Sequence, residues 1–181
     1  MGKLVVSTQM TIDGVIDQTD RWFDGNADSN RLNLEELRAA DALLLGRITY
    51  EGLARVWPTM DDGVGFAELI NPMPKYVASR DYDKAMQWNA TLIEGDLIEQ
   101  VGRLKLDKNL VVYGCGELAL TLARAGLVDA IRLGVHPTVF RNGTRLFFGD
   151  DPIKLELVSA TGFESGFVEL VYRPAAASFG A

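Results

Sequence analysis

Short hydrophobic runs alternate with amphipathic stretches through the first two thirds of the chain, a pattern typical of an α/β sheet. Residues 42–45 and 110–113 are hydrophobic throughout, as expected for strands that are buried on both faces. Shorter strands are predicted at residues 4–8, 76–78 and 91–93. Three helices are predicted. The first begins at Arg47 and is ended by Pro58, the second covers residues 97–104, and the third begins after Gly116 and ends at Ala125.

The final third of the chain has a different pattern. Residues 130–140, 155–161 and 167–172 read as long strands with little helix between them. The last of these alternates partly between apolar and polar positions, which favours antiparallel pairing at one edge of the sheet. The sequence therefore predicts an α/β fold with a mixed, mostly parallel sheet and antiparallel C-terminal edge strands.

Residues 13–30 form a polar stretch rich in Asp and Gly that is longer than most connections in a compact domain. Loops of this length are usually lids or binding loops. Asn33, with Glu36 three residues later, has the spacing of a capping box and predicts that a short helix begins there.

The composition narrows the class of protein. The 181 residues fit one domain, placed at residues 1–174, with the Ala-rich residues 175–181 as a flexible tail. A net charge of −7 argues against nucleic-acid binding, which needs a basic stripe. The single cysteine and the dispersed acidic residues predict neither a disulfide nor a metal site. The N-terminal apolar run is too short for a signal peptide or membrane span, so we expect a cytoplasmic protein.

The segment 44–51 is the most informative for chemistry. Gly46 ends a buried strand and lets backbone approach a ligand closely, and the helix that follows offers unpaired N–H groups to a phosphate. Arg47 adds a planar cation and Thr49 a hydroxyl. The alternative interpretation is an ordinary strand–turn–helix in which the arginine is solvated.

Two further turns repeat this chemistry at other strand ends. Gly114, Cys115, Gly116, Glu117 and Leu118 follow a buried strand and open a helix, so their backbone could wrap a pyrophosphate. Ser79 and Arg80 end another strand and suit a ribose 2′-phosphate. Open α/β sheets bind ligands at the carboxyl ends of their strands, so three such turns support one another.

The motifs, taken in order, resemble those of the dihydrofolate-reductase-like superfamily. They are the segment 10–16, the run 43–51, Ser79–Arg80, the segment 114–118, the segment 127–129 and the segment 142–147. The branch that they resemble most is the reductase domain of the bifunctional riboflavin-biosynthesis deaminase-reductase. The similarity spans about residues 3–172, and the zinc deaminase motifs are not in the sequence.

This resemblance implies a three-layer α/β/α fold and hydride transfer from NADPH. It implies that Gly46, Arg47 and Thr49 bind the cofactor's phosphates, that Ser79 and Arg80 lie near the 2′-phosphate, and that residues 114–118 lie against the pyrophosphate. It also implies that Asp13, Gly14, Val15 and Ile16 lie beside the nicotinamide and the substrate. Trp22, in the polar stretch, could line the mouth of the substrate pocket.

The group that handles the proton is left open between two carboxylates. Asp13 is the first candidate and Asp28 the second, while an Asp-Gly pair at residues 13–14 is equally suited to forming a turn. Cys115 is interpreted as a small residue required by its turn, and His136 as a packed residue.

Three hypotheses for the function remain. The first is an NADPH-dependent reductase of a heterocycle, either a pyrimidine like 5-amino-6-(5-phosphoribosylamino)uracil or a pterin. The second is a dihydrofolate reductase. The third is an NADP(H)-binding module without turnover. A homodimer is also expected, with the alternating residues Ile131, Leu133 and Val135 available to pair across a two-fold axis.

Overall fold

The hydrophobic runs join into one sheet in the computed structural model, which describes residues 1–82, 86–146 and 153–175. Eight strands in these residues follow the order β4-β3-β2-β5-β1-β6-β8-β7. They are β1 (Leu4–Thr11), β2 (Ala42–Gly46), β3 (Lys75–Ala78), β4 (Ala90–Leu92), β5 (Leu110–Tyr113), β6 (Ala130–His136), β7 (Leu155–Gly162) and β8 (Val168–Pro174). Residues 176–181 of the expected tail and residue 147 of the last motif lie outside the described residues, so the domain boundary stays a prediction.

In the order of the sheet, the six strands β4, β3, β2, β5, β1 and β6 pair with their neighbours in parallel. Strand β8 pairs antiparallel with both β6 and β7. The prediction of a mixed sheet with antiparallel C-terminal edge strands is confirmed. The proposed role of Ile131, Leu133 and Val135 in pairing two chains is wrong, because β6 already has β1 on one side and β8 on the other. Ile131 and Leu133 are buried within the chain.

Five α-helices connect these strands in the described residues: α1 (Ala27–Ala39), α2 (Arg47–Val56), α3 (Phe66–Ile70), α4 (Leu97–Leu104) and α5 (Glu117–Arg124). The predicted start of α1 at Asn33 is wrong. The helix is capped seven residues earlier, at Asn26, whose side chain accepts a hydrogen bond from the Ser29 backbone N–H at 2.9 Å. The short α3 was not predicted.

The helices cover both faces of the sheet. On one face Val101 of α4 and Leu122 of α5 pack against alternate residues of β1, β2 and β5. On the other face Leu37 of α1, Tyr50 of α2 and Ile70 of α3 pack against the remaining residues of β2, β3 and β5. The result is the expected three-layer arrangement, because successive side chains of a strand point to opposite faces. No helix in the described ranges is long and apolar enough to cross a membrane.

The carboxyl edge of the sheet has a step in it. The register of β5 with β1 ends at Tyr113 opposite Ser7, whereas β1 continues to Thr11 beside β6. At about 3.3 Å per residue, the four further residues of β1 rise about 13 Å above the end of β5. We call the space above Tyr113 and Gly114, beside residues 8–11, the step.

Candidate functional site

Three turns predicted to bind phosphate lie next to one another at the carboxyl edge of the sheet. Gly46 ends β2 and is opposite Ala78 of β3, after which Ser79 and Arg80 follow. On its other side β2 pairs with β5, which ends immediately before Gly114. Parallel strands place their carboxyl ends on one edge, so the fold brings the three turns together beside the step.

The first turn leaves the N-terminus of α2 open. Gly46 is the N-cap residue, and no side chain in the described part of the chain accepts a hydrogen bond from this helix end. A methyl group built on Gly46 would meet no described atom within 4 Å. The space beside Gly46 is therefore open, and a helix N-terminus without a side-chain cap suits an anion. Arg47 is exposed and lies 3.6 Å from Glu51, one turn along the helix.

The second turn brings α5 to the same place. Gly114 has a φ of 93°, a conformation that favours glycine, and a methyl group built on it would lie 3.6 Å from the Thr49 hydroxyl oxygen. Thus the turns after β2 and β5 are in contact. Gly116 is the N-cap of α5, again with no capping side chain among the described residues. Glu117 is exposed and Leu118 half-buried.

Cys115 lies between the two glycines and is fully buried. Burial raises the pKa of its thiol to about 12, so the side chain stays a neutral thiol at physiological pH. The residue packs into the apolar cluster that includes Ala119 and Leu122 of α5. Any contact of Cys115 with a ligand is therefore made by its backbone.

The third turn is the most exposed. Arg80 is exposed, and the half-buried Ser79 accepts a hydrogen bond from the Asp81 backbone N–H at 3.4 Å. Ser79 and Arg80 thus form the outer end of the row of turns, consistent with a group at the periphery of a bound dinucleotide.

Asp13 holds two loops together. Its carboxylate accepts hydrogen bonds from the Thr11 hydroxyl at 2.7 Å and from the backbone N–H groups of Phe140 and Arg141 at 3.1 and 2.9 Å, and Arg145 lies 3.6 Å away. The Thr11 and Phe140 hydrogen bonds lower the pKa of Asp13 to about 2. The group is therefore a carboxylate at neutral pH. Its catalytic assignment stays a prediction, and the geometry favours a positioning role.

Asp28 lies in the first turn of α1, away from Asp13. Its carboxylate accepts a hydrogen bond from the Ser165 hydroxyl at 2.7 Å, which ties the start of α1 to the turn between β7 and β8. The two predicted catalytic carboxylates are thus engaged in different loop contacts. The role of Asp28 also stays a prediction.

The predicted pocket residues divide into two environments. Gly14 and Ile16 are half-buried, whereas Val15 is fully buried and bridges to Arg145. Trp22 is buried as well, and its indole N–H donates to the Asp17 carbonyl at 2.7 Å. The Trp22 ring lies edge-on to His136, with centroids 5.5 Å apart. The buried Trp22 side chain therefore packs beneath the polar stretch of residues 13–30 and supports it. Its contact with a substrate stays a prediction.

A group of buried polar residues was missed by the sequence reasoning. Glu36 was interpreted as part of a capping box at the start of the helix; instead it is buried in the last turn of α1 and paired with Arg132 of β6. Tyr113 ends β5 with its hydroxyl buried. The signal that could have revealed this group in the sequence was the presence of two polar residues, Ser7 and Arg132, within segments predicted to be strands of the core. Within the described residues no cluster of potential metal ligands was found.

The sequence profile of one family matches nearly the whole chain. The RibD C-terminal domain profile covers residues 2–168. The chain is also 29% identical over 177 residues to the uncharacterized protein YyaP of Bacillus subtilis (strain 168), an alignment that covers 94% of each protein.

Solved structures with the same fold include reductases. A pyrimidine reductase-like protein from Corynebacterium diphtheriae superposes with a TM-score of 0.66 at 13% identity, covering 96% of this chain and 92% of that one. The deaminase/5-amino-6-(5-phosphoribosylamino)uracil reductase of Thermotoga maritima gives 0.65 at 15% identity, and the match covers 96% of this chain and 57% of that one.

Dihydrofolate reductase from Enterococcus faecalis, in complex with NADP(H), gives a TM-score of 0.59 at 17% identity and covers 96% of both chains. At these identities the superpositions establish a dihydrofolate-reductase-like fold. The profile match over residues 2–168 shows that the chain belongs to the RibD C-terminal domain family.

Proposed function

We propose that this protein is an NADPH-dependent reductase that transfers a hydride to a heterocyclic substrate. The observation that carries the proposal is the pair of open helix N-termini, at α2 and α5, on neighbouring strand ends. Two such ends side by side match the two phosphates of a dinucleotide. The family and the reductase folds that resemble this chain favour an oxidoreductase.

The residues present fit the cofactor. Gly46, Arg47 and Thr49 would hold one phosphate and the turn 114–118 the other, because each turn leads into a helix whose N-cap is a glycine without a side-chain cap. Ser79 and Arg80 would bind the 2′-phosphate, since arginine presents a fork of donors to phosphate oxygens. The bound cofactor supplies the hydride, and the protein aligns it with the substrate.

The proposed substrate lies beside the nicotinamide, in the step. A solved structure with the same fold carries the name 5-amino-6-(5-phosphoribosylamino)uracil reductase and another the name dihydrofolate reductase. We therefore propose a pyrimidine of the first kind or a pterin, with dihydrofolate as the alternative. Asp13 would hold the loop that contains residues 140 and 141 in place over the step.

A binding module without turnover is the second candidate function. The observation in its favour is Asp13, whose low pKa keeps it from acting as an acid at neutral pH. Such a module would keep the phosphate turns and bind NADPH without oxidising it.

One experiment separates these proposals. The protein is titrated with NADPH and NADH by nicotinamide fluorescence and then mixed with 5-amino-6-(5-phosphoribosylamino)uracil, dihydropterin or dihydrofolate while NADPH absorbance is followed. Oxidation with one of these supports the reductase. Tight NADPH binding without oxidation supports the module, and failure to bind NADPH contradicts both. If Arg80→Ala, alone and combined with Arg47→Ala, leaves the NADPH preference unchanged, the 2′-phosphate assignment is wrong.

We also propose that the protein is a homodimer. The outer strand β7 is largely exposed, including Leu157 and Val158, and an exposed sheet edge is a template for pairing. Analytical ultracentrifugation should give twice the mass of the chain, and a monomer at micromolar concentration would contradict the proposal.

A further inference from the structure

The chain between β3 and β4, which we call the β3–β4 connection, has no helix in its described residues. It leaves the carboxyl edge of the sheet at Ser79 and Arg80. It ends beside the first residue of β3, where the Asn89 carbonyl accepts a hydrogen bond from the Lys75 backbone N–H at 3.0 Å. Parallel strands are usually joined by a crossover that contains a helix. Side chains of other elements therefore have to determine the path of this connection.

The part of the connection that carries Arg80 does little to fix its own position. Arg80 is exposed, and its side chain makes no hydrogen bond, ion pair or ring contact with the described part of the chain. The hydrogen bond from the Asp81 backbone N–H to the Ser79 hydroxyl is long, at 3.4 Å. An arginine loses side-chain entropy when it binds a phosphate, and a mobile backbone would add a further entropic cost. The affinity of Arg80 for a phosphate therefore depends on how firmly its backbone is held.

Tyr50 of α2 contacts the connection at two places. Its hydroxyl donates a hydrogen bond to the Gln87 carbonyl at 3.1 Å and accepts one from the Gln87 backbone N–H at 2.9 Å. Its ring lies edge-on to Tyr82, with the ring centroids 5.9 Å apart. The Tyr50 side chain is itself fixed, because the residue is only 2% exposed and packs in the core between α2 and the sheet. One rigid side chain thus holds the connection at residues 82 and 87.

The start of α2 links the three turns of the candidate site. Gly46 and Arg47 form the first turn, and the Thr49 hydroxyl lies against Gly114 of the second. Tyr50, the next residue, reaches the connection that carries the third turn. The open N-terminus of α2 and the place of Arg80 are therefore set by the same short segment of helix.

The far end of the connection is held in a strained conformation. Trp88 and Asn89 have φ values of 55° and 53°, which are uncommon for residues other than glycine, above all for a bulky one. The Trp88 indole N–H donates to the Asn71 side chain at 2.7 Å, and the Lys75 ammonium group lies 3.9 Å from the centre of its ring. Such strain persists only where the surroundings impose it, and it is typical of functional segments.

We propose that Tyr50 is the positioning residue that sets the preference for NADPH over NADH. By holding the β3–β4 connection against α2, it places Arg80 for the phosphomonoester on the adenosine ribose. This inference rests on the proposed function. Tyr50 does not touch the cofactor and acts through Arg80, so NADH, which lacks the 2′-phosphate, gains nothing from it.

The first test is Tyr50→Phe, which removes the hydroxyl and keeps the ring against Tyr82. NADPH and NADH are titrated separately by nicotinamide fluorescence. The Kd for NADPH should rise about 3- to 10-fold, the usual effect of losing hydrogen bonds of modest net strength, while the Kd for NADH stays unchanged. Equal weakening of both cofactors would show that Tyr50 supports the site as a whole and would overturn the inference.

Tyr76→Phe is the matched control. It makes the same chemical change on β3, but Tyr76 packs with the cluster on the opposite face of the sheet. Its ratio of NADPH to NADH affinity should equal that of wild type. A ratio that falls as far as in Tyr50→Phe would contradict a specific role of Tyr50.

A double-mutant cycle with Arg80→Ala tests whether Tyr50 acts through Arg80. Once Arg80 is removed, Tyr50→Phe should cause no further loss of NADPH affinity. Additive losses would refute the inference. If Tyr50→Phe is unfolded at the assay temperature, Tyr82→Ala takes its place in the cycle, because it removes the ring contact from the other side.

The wild-type titration separates this inference from the proposed function. A wild type that binds neither cofactor contradicts the proposed function. A wild type that prefers NADPH, with a ratio that Tyr50→Phe leaves unchanged, overturns only the role of Tyr50. Equal affinity of the wild type for NADPH and NADH would overturn this role together with the 2′-phosphate assignment.

Discussion

Replacing Gly46 by aspartate should stabilise the fold and weaken cofactor binding. Gly46 is the N-cap of α2 with φ and ψ of −74° and 158°, a conformation that aspartate adopts readily. A methyl group at this position meets no described atom within 4 Å, so the new side chain enters without a clash. Its carboxylate can accept a hydrogen bond from the first turn of α2, in the space proposed for a phosphate.

The two effects have opposite signs and can be estimated. Aspartate in place of glycine at an N-cap gains a few tenths of a kcal/mol, and a negative charge near the positive helix end about 0.3–1 kcal/mol. A total of about 1 kcal/mol raises the Tm by about 2–4 °C for a chain of this size. Two unit negative charges about 4 Å apart repel by about 4 kcal/mol at an effective dielectric constant of about 20. Even about two thirds of that weakens NADPH binding about 100-fold.

The assay pairs thermal unfolding with NADPH titration. Gly52→Asp is the matched control, because it adds the same charge to an exposed position of α2 that is also free of nearby described atoms. It should leave NADPH affinity close to that of wild type. If Gly46→Asp binds NADPH as wild type does, the open end of α2 is not a phosphate site. If it lowers the Tm, the capping argument is wrong.

Three further outcomes follow from described contacts. Asp13→Asn should speed hydrogen exchange at the amides of residues 140 and 141, which it holds; unchanged exchange would refute this loop-holding role. Burial lowers the pKa of His136 in the folded protein. The free energy of unfolding therefore decreases as the pH falls below about 6.5, the pKa of histidine in the unfolded chain. His136→Gln should reduce this pH dependence of the free energy of unfolding, measured by urea unfolding. Lys75→Met should lower unfolding free energy by about 1–3 kcal/mol, because the buried ammonium group donates to two carbonyls at the end of α3; an unchanged urea midpoint would contradict this.

The strands that carry the phosphate turns could be predicted because their signals are local. β2 is a continuous apolar run that ends in glycine, and β5 is one that glycine follows directly. Such runs are typical of parallel strands that are buried on both faces. The turns themselves follow from Gly46 and Gly114, whose place at strand ends is visible in the sequence. The fold class then follows from the alternation of strands and helices.

The start of α1 and the group of buried polar residues could not be predicted in the same way. Asn33 with Glu36 has the spacing of a capping box, but Asn26 caps the helix, and only the tertiary structure shows that Glu36 faces Arg132 of the sheet rather than the helix end. The end of β6 was placed beyond His136, although Pro137 cannot donate to a sheet and stops the strand. These features depend on contacts between residues that are far apart in the sequence, and a short segment of sequence does not contain that information.

The step at the carboxyl edge of the sheet has a consequence for how this family can diversify. Its height is determined by how far β1 and β5 extend in register, a property of backbone lengths. The side chains along these strands do not set it. If the proposed substrate binds in the step, substitutions of the side chains around it change which molecule fits while the height of the step stays the same. Chains only 13–17% identical to this one share its fold, so the fold itself tolerates wide changes of sequence.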